Sequence, residues 1–174
     1  NIEDQVSPKR CGHLDGKQIV PIDEAIAKIK ACADARLDPD FVINARTDAL
    51  AVGGIEEVLR RGNAYLEAGA TMVFIDGLDS KETARRLVSG IAGPVAINAV
   101  EGGKTPPDFD FAEMEAIGIA RVSLPGTTMF AAVRAIRDVL AAVRARSGIT
   151  GYEDRIANFA DVQDLLGMND LLAL

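Results

Sequence analysis

The stretch Glu67-Ala68-Gly69-Ala70-Thr71-Met72-Val73-Phe74-Ile75-Asp76-Gly77 decides the fold. A helix stop at Gly69 is followed at once by a short apolar run and then by an acidic turn. A run that is apolar at successive positions suits a strand covered on both faces, as in a parallel sheet. The same order of signals recurs on either side. Phe41 to Ala45 follows the turn Asp38-Pro39-Asp40, Pro94 to Asn98 is a third run, Ala120 to Leu124 a fourth, and Asn1-Ile2-Glu3 reads as the end of another strand.

Amphipathic helices are expected between these runs. Ile22 to Ala35 carries Ile22, Ile26, Ile29 and Ala33 on one face, and Ile55 to Glu67 carries Ile55, Val58, Leu59 and Leu66. Gly62 interrupts the second stripe, where an interior Gly costs ~1 kcal/mol against Ala. Ser80 to Ile91 and the long Thr127 to Arg146 complete the set, the last with Phe130, Val133, Ile136, Leu140 and Val143 in line. Strand starts recur after roughly 23 to 30 residues, the length of a βαβ unit.

The expected fold class is therefore α/β with a parallel sheet. A (β/α)8 TIM-type barrel typically needs ~250 residues, so these 174 residues are expected to hold its downstream strands and helices. A small open sheet is the alternative. Residues 1–147 are assigned to the partial barrel and residues 148–174 to a C-terminal helical extension, with short helices over Tyr152 to Asn158 and Ala160 to Leu166. Its apolar end, Met168 to Leu174, would pack on its own barrel or on a neighbouring subunit. The chain begins on Asn1 within a polar segment, and further sequence is expected upstream.

Composition narrows the partners. A net charge of -7 without a basic stripe argues against nucleic acid. No apolar run approaches the ~20 residues of a membrane span. Two cysteines, Cys11 and Cys32, in unlike contexts do not form a secreted disulfide framework and point to a reducing, cytoplasmic setting.

In parallel α/β folds the working residues lie at the C-terminal ends of strands and in the loops that follow. Glu3 and Asp4 stand after the first strand end, ahead of a loop containing Lys9, Arg10, Cys11, Gly12, His13 and Asp15. Two cations before Cys11 favour its thiolate and suit it to proton transfer, unless it is an incidental thiol on a solvated loop. Arg46 follows the Phe41–Ala45 run and can hold a carboxylate in a fork, or pair with Asp48 structurally. Asp76 could orient a substrate group or a metal-bound water, or cap a turn. Asn98 precedes the glycine-containing segment Glu101-Gly102-Gly103-Lys104-Thr105-Pro106. Pro125-Gly126-Thr127-Thr128 leads into the long helix and suits capping or anion contact. Together these residues suit a small, oxygen-rich anion such as a dicarboxylate, with a divalent metal.

Ile2-Glu3-Asp4-Gln5, Pro8 through His13, Ala45-Arg46-Thr47-Asp48-Ala49-Leu50, Glu67 through Ala70, and Asn98 with Glu101 through Pro106 resemble the phosphoenolpyruvate mutase/isocitrate lyase superfamily over essentially the whole chain. The resemblance implies a (β/α)8 barrel, a homotetramer with a helix swapped between subunits, and Mg2+ acting with a small carboxylate substrate. The Cys-Gly-His loop is similar to that of the carbon-carbon lyases, whereas phosphomutases and phosphonopyruvate hydrolases carry an Asn near the Cys11 position. The resemblance thus implies cleavage of a methylisocitrate-, dimethylmalate- or oxaloacetate-type acid by retro-aldol chemistry. In it Cys11 would be the proton donor and Arg46 the carboxylate holder. Glu3 would be catalytic and would hold the metal through water. Lys9, Gly12, His13, Asn98 and Asp76 would bind substrate. The other readings are a phosphonopyruvate/phosphoenolpyruvate phosphomutase or hydrolase, and an inactive oxo-acid-binding fragment. Two departures stand out. The family's Asp-x-Asp-x-Gly metal ligands are not in these residues, and Asp76 stands where the lyases usually have Glu.

Overall fold

Five short strands hydrogen-bond side by side in chain order, every neighbouring pair parallel: β1 (Ile2–Glu3), β2 (Asn44–Thr47), β3 (Met72–Ile75), β4 (Val95–Asn98) and β5 (Ile119–Ser123). One helix follows each of the first four strands: α1 (Ile22–Ala35) after β1, α2 (Leu50–Glu67) after β2, α3 (Lys81–Gly90) after β3 and α4 (Phe111–Ile117) after β4. The computed structural model describes residues 1–172 apart from Gly12, His13, Asp15, Ser147 and Ile149. Sequential parallel strands with intervening helices are the α/β arrangement of a (β/α) barrel, of which this chain holds five consecutive strands.

Register sorts the side chains into two faces. Glu3 pairs with Arg46, Arg46 with Phe74, Phe74 with Ala96 and Ala96 with Arg121, so these form one row across the sheet. The opposite face carries Val73, Ile75, Val95 and Ile97, which pack with Val58, Leu87 and Ile91 of the helical layer. A second cluster joins Val20, Ala25, Ile29, Ile43, Ala45 and Tyr65 beneath α1. Gly62 is not a flaw in α2. A Cβ there would meet Ile91 Cδ1 and Val73 Cγ1, both at 3.3 Å, so the missing side chain lets α2 sit close against the sheet and α3.

Several element bounds differ from expectation. β2 begins at Asn44, not Phe41, and Phe41 and Val42 are exposed. The Ile43 N–H donates to Thr71 Oγ1 and its carbonyl accepts from Thr71 N, which sets Asn44 opposite Met72 and slides the strand toward its polar residues. α2 starts at Leu50, bending at Gly54, whose φ of 73° only glycine adopts readily. α4 was not anticipated, although Asp110 caps it by accepting from Glu113 N at 2.8 Å and Gly118 ends it with φ 99°. Ser80 is the cap of α3 and not its first turn.

Residues 126–174 form a separate compact unit. It contains α5 (Thr127–Arg146), α6 (Phe159–Leu165) and α7 (Met168–Leu172). Over Tyr152 to Asn158 only a single 3-10 turn, Glu153–Arg155, is present. Ala173 and Leu174 lie outside the described residues. Among the described residues no helix is long and apolar enough to cross a membrane.

Candidate active site

The polar residues that follow the strands converge on Arg46. Its Nε donates to Asp48 Oδ2 at 2.9 Å and its Nη2 to Asp48 Oδ1 at 3.0 Å, a two-pronged pair. Nη2 also lies 2.5 Å from Asp76 Oδ2, and Nε lies 3.3 Å from Glu3 Oε2. The guanidinium sits over the ring of Phe74, its neighbour in the row, at 5.7 Å from the centroid. Asp48 and Asp76 are buried and the Arg46 side chain is nearly so. Burial alone would lower the Arg46 pKa, but the Asp48 hydrogen bonds and the Asp76 charge outweigh it and raise the pKa further. One guanidinium thus faces three carboxylates, a formal excess of two negative charges.

Behind Arg46 lies a third buried carboxylate, Asp4. Asp4 Oδ2 accepts from Thr47 Oγ1 at 2.7 Å, Tyr65 OH at 2.8 Å and Arg61 Nη1 at 3.2 Å, while Oδ1 accepts from the Asp48 N–H at 3.0 Å. Arg61 and Tyr65 are four residues apart on α2 and so point the same way. Arg61 also donates through Nη2 to Val20 O at 2.9 Å and through Nε to Glu57 at 2.6 Å. Burial, then the Asp4 charge, pushes the Tyr65 hydroxyl pKa up, so it stays protonated and donating. This network ties the ends of β1 and β2 to α2 and to the return of the loop that carries Cys11.

That loop leaves β1 at Asp4 and rejoins it at Val20, whose N–H donates to Asp4 O at 2.8 Å. Cys11 is exposed and unbonded to Cys32. Lys9 Nζ reaches Glu3 Oε2 at 3.5 Å, which connects the loop to the Arg46 cluster. Gly12 and His13 lie outside the described residues. Asn98, at the end of β4, donates from Nδ2 to Asp76 Oδ1 at 3.4 Å, and its carbonyl accepts from Thr105 Oγ1 at 3.1 Å. The Glu101–Pro106 segment borders a cavity of about 450 Å³ lined also by Ala99, Phe109 and Leu124.

Glu3, Arg46, Asp76 and Asn98 are therefore brought together, and Lys9 reaches Glu3 among them. Sequence reasoning passed over Lys17, which is buried. Burial, then repulsion by Lys104, lowers its pKa, while Asp48 and Asp76 act in the opposite sense. Its closeness to these charges places it beside the cluster. The signal was faint: Lys17 follows Gly16 in a loop already rich in cations. Asp4 was noted only as an acid after β1, yet it holds the site together.

The described residues do not fit Mg2+ by direct ligation. Glu3, Asp48 and Asp76 are each engaged by Arg46, and among the described residues no group of three or more Asp, Glu, His or Cys side chains is arranged to hold a metal.

Comparison with known proteins places this geometry. A family model described as phosphoenolpyruvate phosphomutase matches residues 1–144. The chain is similar to 2,3-dimethylmalate lyase of Eubacterium barkeri, 41% identical over 170 residues, covering 98% of this chain and 58% of that protein. It therefore spans little more than half the length of that relative. Among solved structures it resembles oxaloacetate acetylhydrolase in complex with the inhibitor 3,3-difluorooxalacetate, with a TM-score of 0.88 and 35% identity over 98% of this chain and 57% of that one. It also resembles phosphonopyruvate hydrolase in complex with oxalate and Mg2+, with a TM-score of 0.82 and 30% identity over 98% and 58%. With the Arg46 clasp at its strand ends, the chain belongs to the phosphoenolpyruvate phosphomutase family, the phosphoenolpyruvate mutase/isocitrate lyase superfamily.

Proposed function

We propose that the protein containing this chain is a carbon-carbon lyase acting on a small 2-hydroxy or 2-oxo dicarboxylate. The observation that carries the proposal is the Lys9–Glu3–Arg46 contact, which connects the loop of an exposed thiol to a pre-oriented guanidinium. The similarity to a dimethylmalate lyase and to an oxaloacetate acetylhydrolase supports the substrate class.

Asp48 and Asp76 grip Nε and Nη2, so the guanidinium plane is set before substrate arrives. Nη1 is the edge assigned to a substrate carboxylate. The negative excess around Arg46 would repel a dianion, and Lys9 and Lys17 offset it. In the cleavage, a base takes the proton from the C2 hydroxyl and the C2–C3 bond breaks. C2 becomes a carbonyl, and the electron pair passes to C3 as an enolate of the adjoining carboxylate. The Cys11 thiol then delivers a proton to C3. A 2-oxo acid enters the same sequence as its hydrate. Asn98 orients substrate from the β4 end, and Gly12 and His13 are assigned to substrate binding.

Magnesium dependence is part of the proposal, supported by the Mg2+–oxalate complex of the related hydrolase. Bound Mg2+ would stabilise the enolate as a Lewis acid. Glu3, the one partly exposed carboxylate of the clasp, would meet it through water. A homotetrameric, cytoplasmic enzyme is the accompanying expectation.

Cys11→Ser in the full-length protein tests the central step. Loss of turnover with retained binding of oxalate is expected, and unchanged turnover would remove Cys11 from the mechanism. Parallel assays should use dimethylmalate, methylisocitrate, oxaloacetate and phosphonopyruvate. Turnover of phosphonopyruvate alone would replace the lyase with a phosphonate hydrolase or mutase.

A further inference from the structure

Gln5 occupies the neck of the Cys11 loop and is buried. Its side-chain Nε2 donates to Arg10 O at 2.8 Å, and its Oε1 accepts from Arg10 N at 2.8 Å. A carboxamide presents a donor and an acceptor side by side, as a peptide group does. Arg10 is thus paired on both of its backbone groups by one side chain, in place of a neighbouring strand. The Gln5 backbone is itself fixed. It forms an antiparallel bridge with Ile19, the next residue's N–H donates to Gln18 O at 2.9 Å, and the preceding Asp4 N–H donates to Arg46 O at 3.2 Å.

The consequence reaches Cys11 through covalent geometry. Arg10 C=O and Cys11 N–H share one planar peptide unit. Holding that carbonyl therefore holds the plane from which the Cys11 Cα departs. On the other side of Cys11 the Leu14 N–H donates to Cys11 O at 2.9 Å, a contact within the loop, so it is the Gln5 pair that ties this peptide to the fixed neck at Asp4 and Ile19.

We propose that Gln5 is the positioning residue for Cys11: its carboxamide locks the Arg10–Cys11 peptide so that the thiol is presented in one place relative to the Arg46 cluster. The inference rests on the reading of Cys11 as proton donor. It requires the donor as well as the acceptor of the amide. A carboxylate at position 5 would still accept from Arg10 N but would set its second oxygen against Arg10 O with no proton between them.

The test compares Gln5→Glu, Gln5→Met and Cys11→Ser in the full-length protein. Gln5→Glu keeps the size and one bond, and Gln5→Met keeps the length and neither bond. The readouts are kcat, KM, oxalate affinity by calorimetry and thermal midpoint. For both Gln5 variants kcat should fall tenfold or more while KM and oxalate affinity stay within about threefold, because Arg46 is untouched. A kcat within twofold of the parent in either folded variant overturns the proposal. So does a fall in kcat matched by an equal loss of oxalate binding, which marks general damage to the site. Turnover retained by Cys11→Ser would fail the underlying lyase mechanism instead. Loss in Cys11→Ser with full turnover in Gln5→Glu would fail the Gln5 inference alone.

Discussion

Arg46 Nη2 and Asp76 Oδ2 lie 2.5 Å apart, so the carboxylate after β3 holds the guanidinium of β2 directly across the strand boundary. The shorter Asp side chain is sufficient for this contact because Asp76 N is already tied to Thr47 O at 3.2 Å, which keeps the two strand ends together. Asp76 thus acts first on Arg46. An Arg46→Lys variant should lose the two-pronged Asp48 pair and the stacking on Phe74. We expect kcat/KM to fall by about 100-fold, equivalent to roughly 3 kcal/mol. Steady-state kinetics on the substrate identified by the panel checks this, and a loss under threefold would count against Arg46 as the carboxylate holder.

Asp4 is a buried anion whose partners come from β2 and α2. Asp4→Ala leaves Arg61 and the Asp48 N–H without that acceptor. The expected cost is about 3–5 kcal/mol, typical of breaking a buried charge pair. Urea unfolding of parent and variant measures it. A loss below 1 kcal/mol would mean the network relaxes around another acceptor.

Glu57 links stability to pH. The Arg60 hydrogen bond first, opposed by burial and aided by Arg61, holds its pKa down from 4.5 to about 2. A depressed carboxylate contributes stability that is complete above its unfolded pKa and is lost as pH falls through its folded one. The window is therefore about pH 4.5 down to 2. Because Glu57 is partly exposed and Arg60 is open to solvent, the contribution is on the order of 1 kcal/mol. The stability difference between the parent and Glu57→Gln should be present at pH 6 and shrink steadily toward pH 2. A constant difference across that range would refute the assignment.

Gly62 is a packing position. The two methyl-bearing groups that a Cβ would meet at 3.3 Å belong to β3 and to Ile91 after α3, neither of which can move freely. Gly62→Ala should destabilise by about 1 kcal/mol despite the better helix propensity of Ala, and Gly62→Val by about 2 kcal/mol or more. Thermal denaturation ranks the three proteins, and a more stable Ala variant would show that α2 has room to shift.

Metal dependence is expected to separate the whole protein from these residues. Turnover of the full-length protein should be abolished by EDTA and restored by Mg2+. The 174-residue chain alone should give no heat with Mg2+ in the presence of oxalate, since its described residues form no direct site. Tight metal-dependent oxalate binding by this chain would show that Glu3, Asp48 and Asp76 can leave Arg46.

The order of the strands with α1, α2, α3 and α5, and the placing of Glu3, Arg46, Asp76 and Asn98 at strand ends, followed from the sequence alone. Those signals are local: hydrophobic period, helix stops and the polar residue after each apolar run lie within a few positions of one another. The start of β2 was misplaced because an apolar run marks burial without marking register, and the hydrogen bonds that set Asn44 opposite Met72 come from residues far along the chain. α4 was missed because seven residues carry too little periodicity, although Asp110 three positions before Glu113 was a legible cap. Only the tertiary structure decided which acids grip Arg46, that Lys17 is buried beside them, and that Asp4 binds Tyr65 across 61 positions. Each of these depends on which side chains the sheet register turns to the same face, and local periodicity carries no information about pairs so far apart.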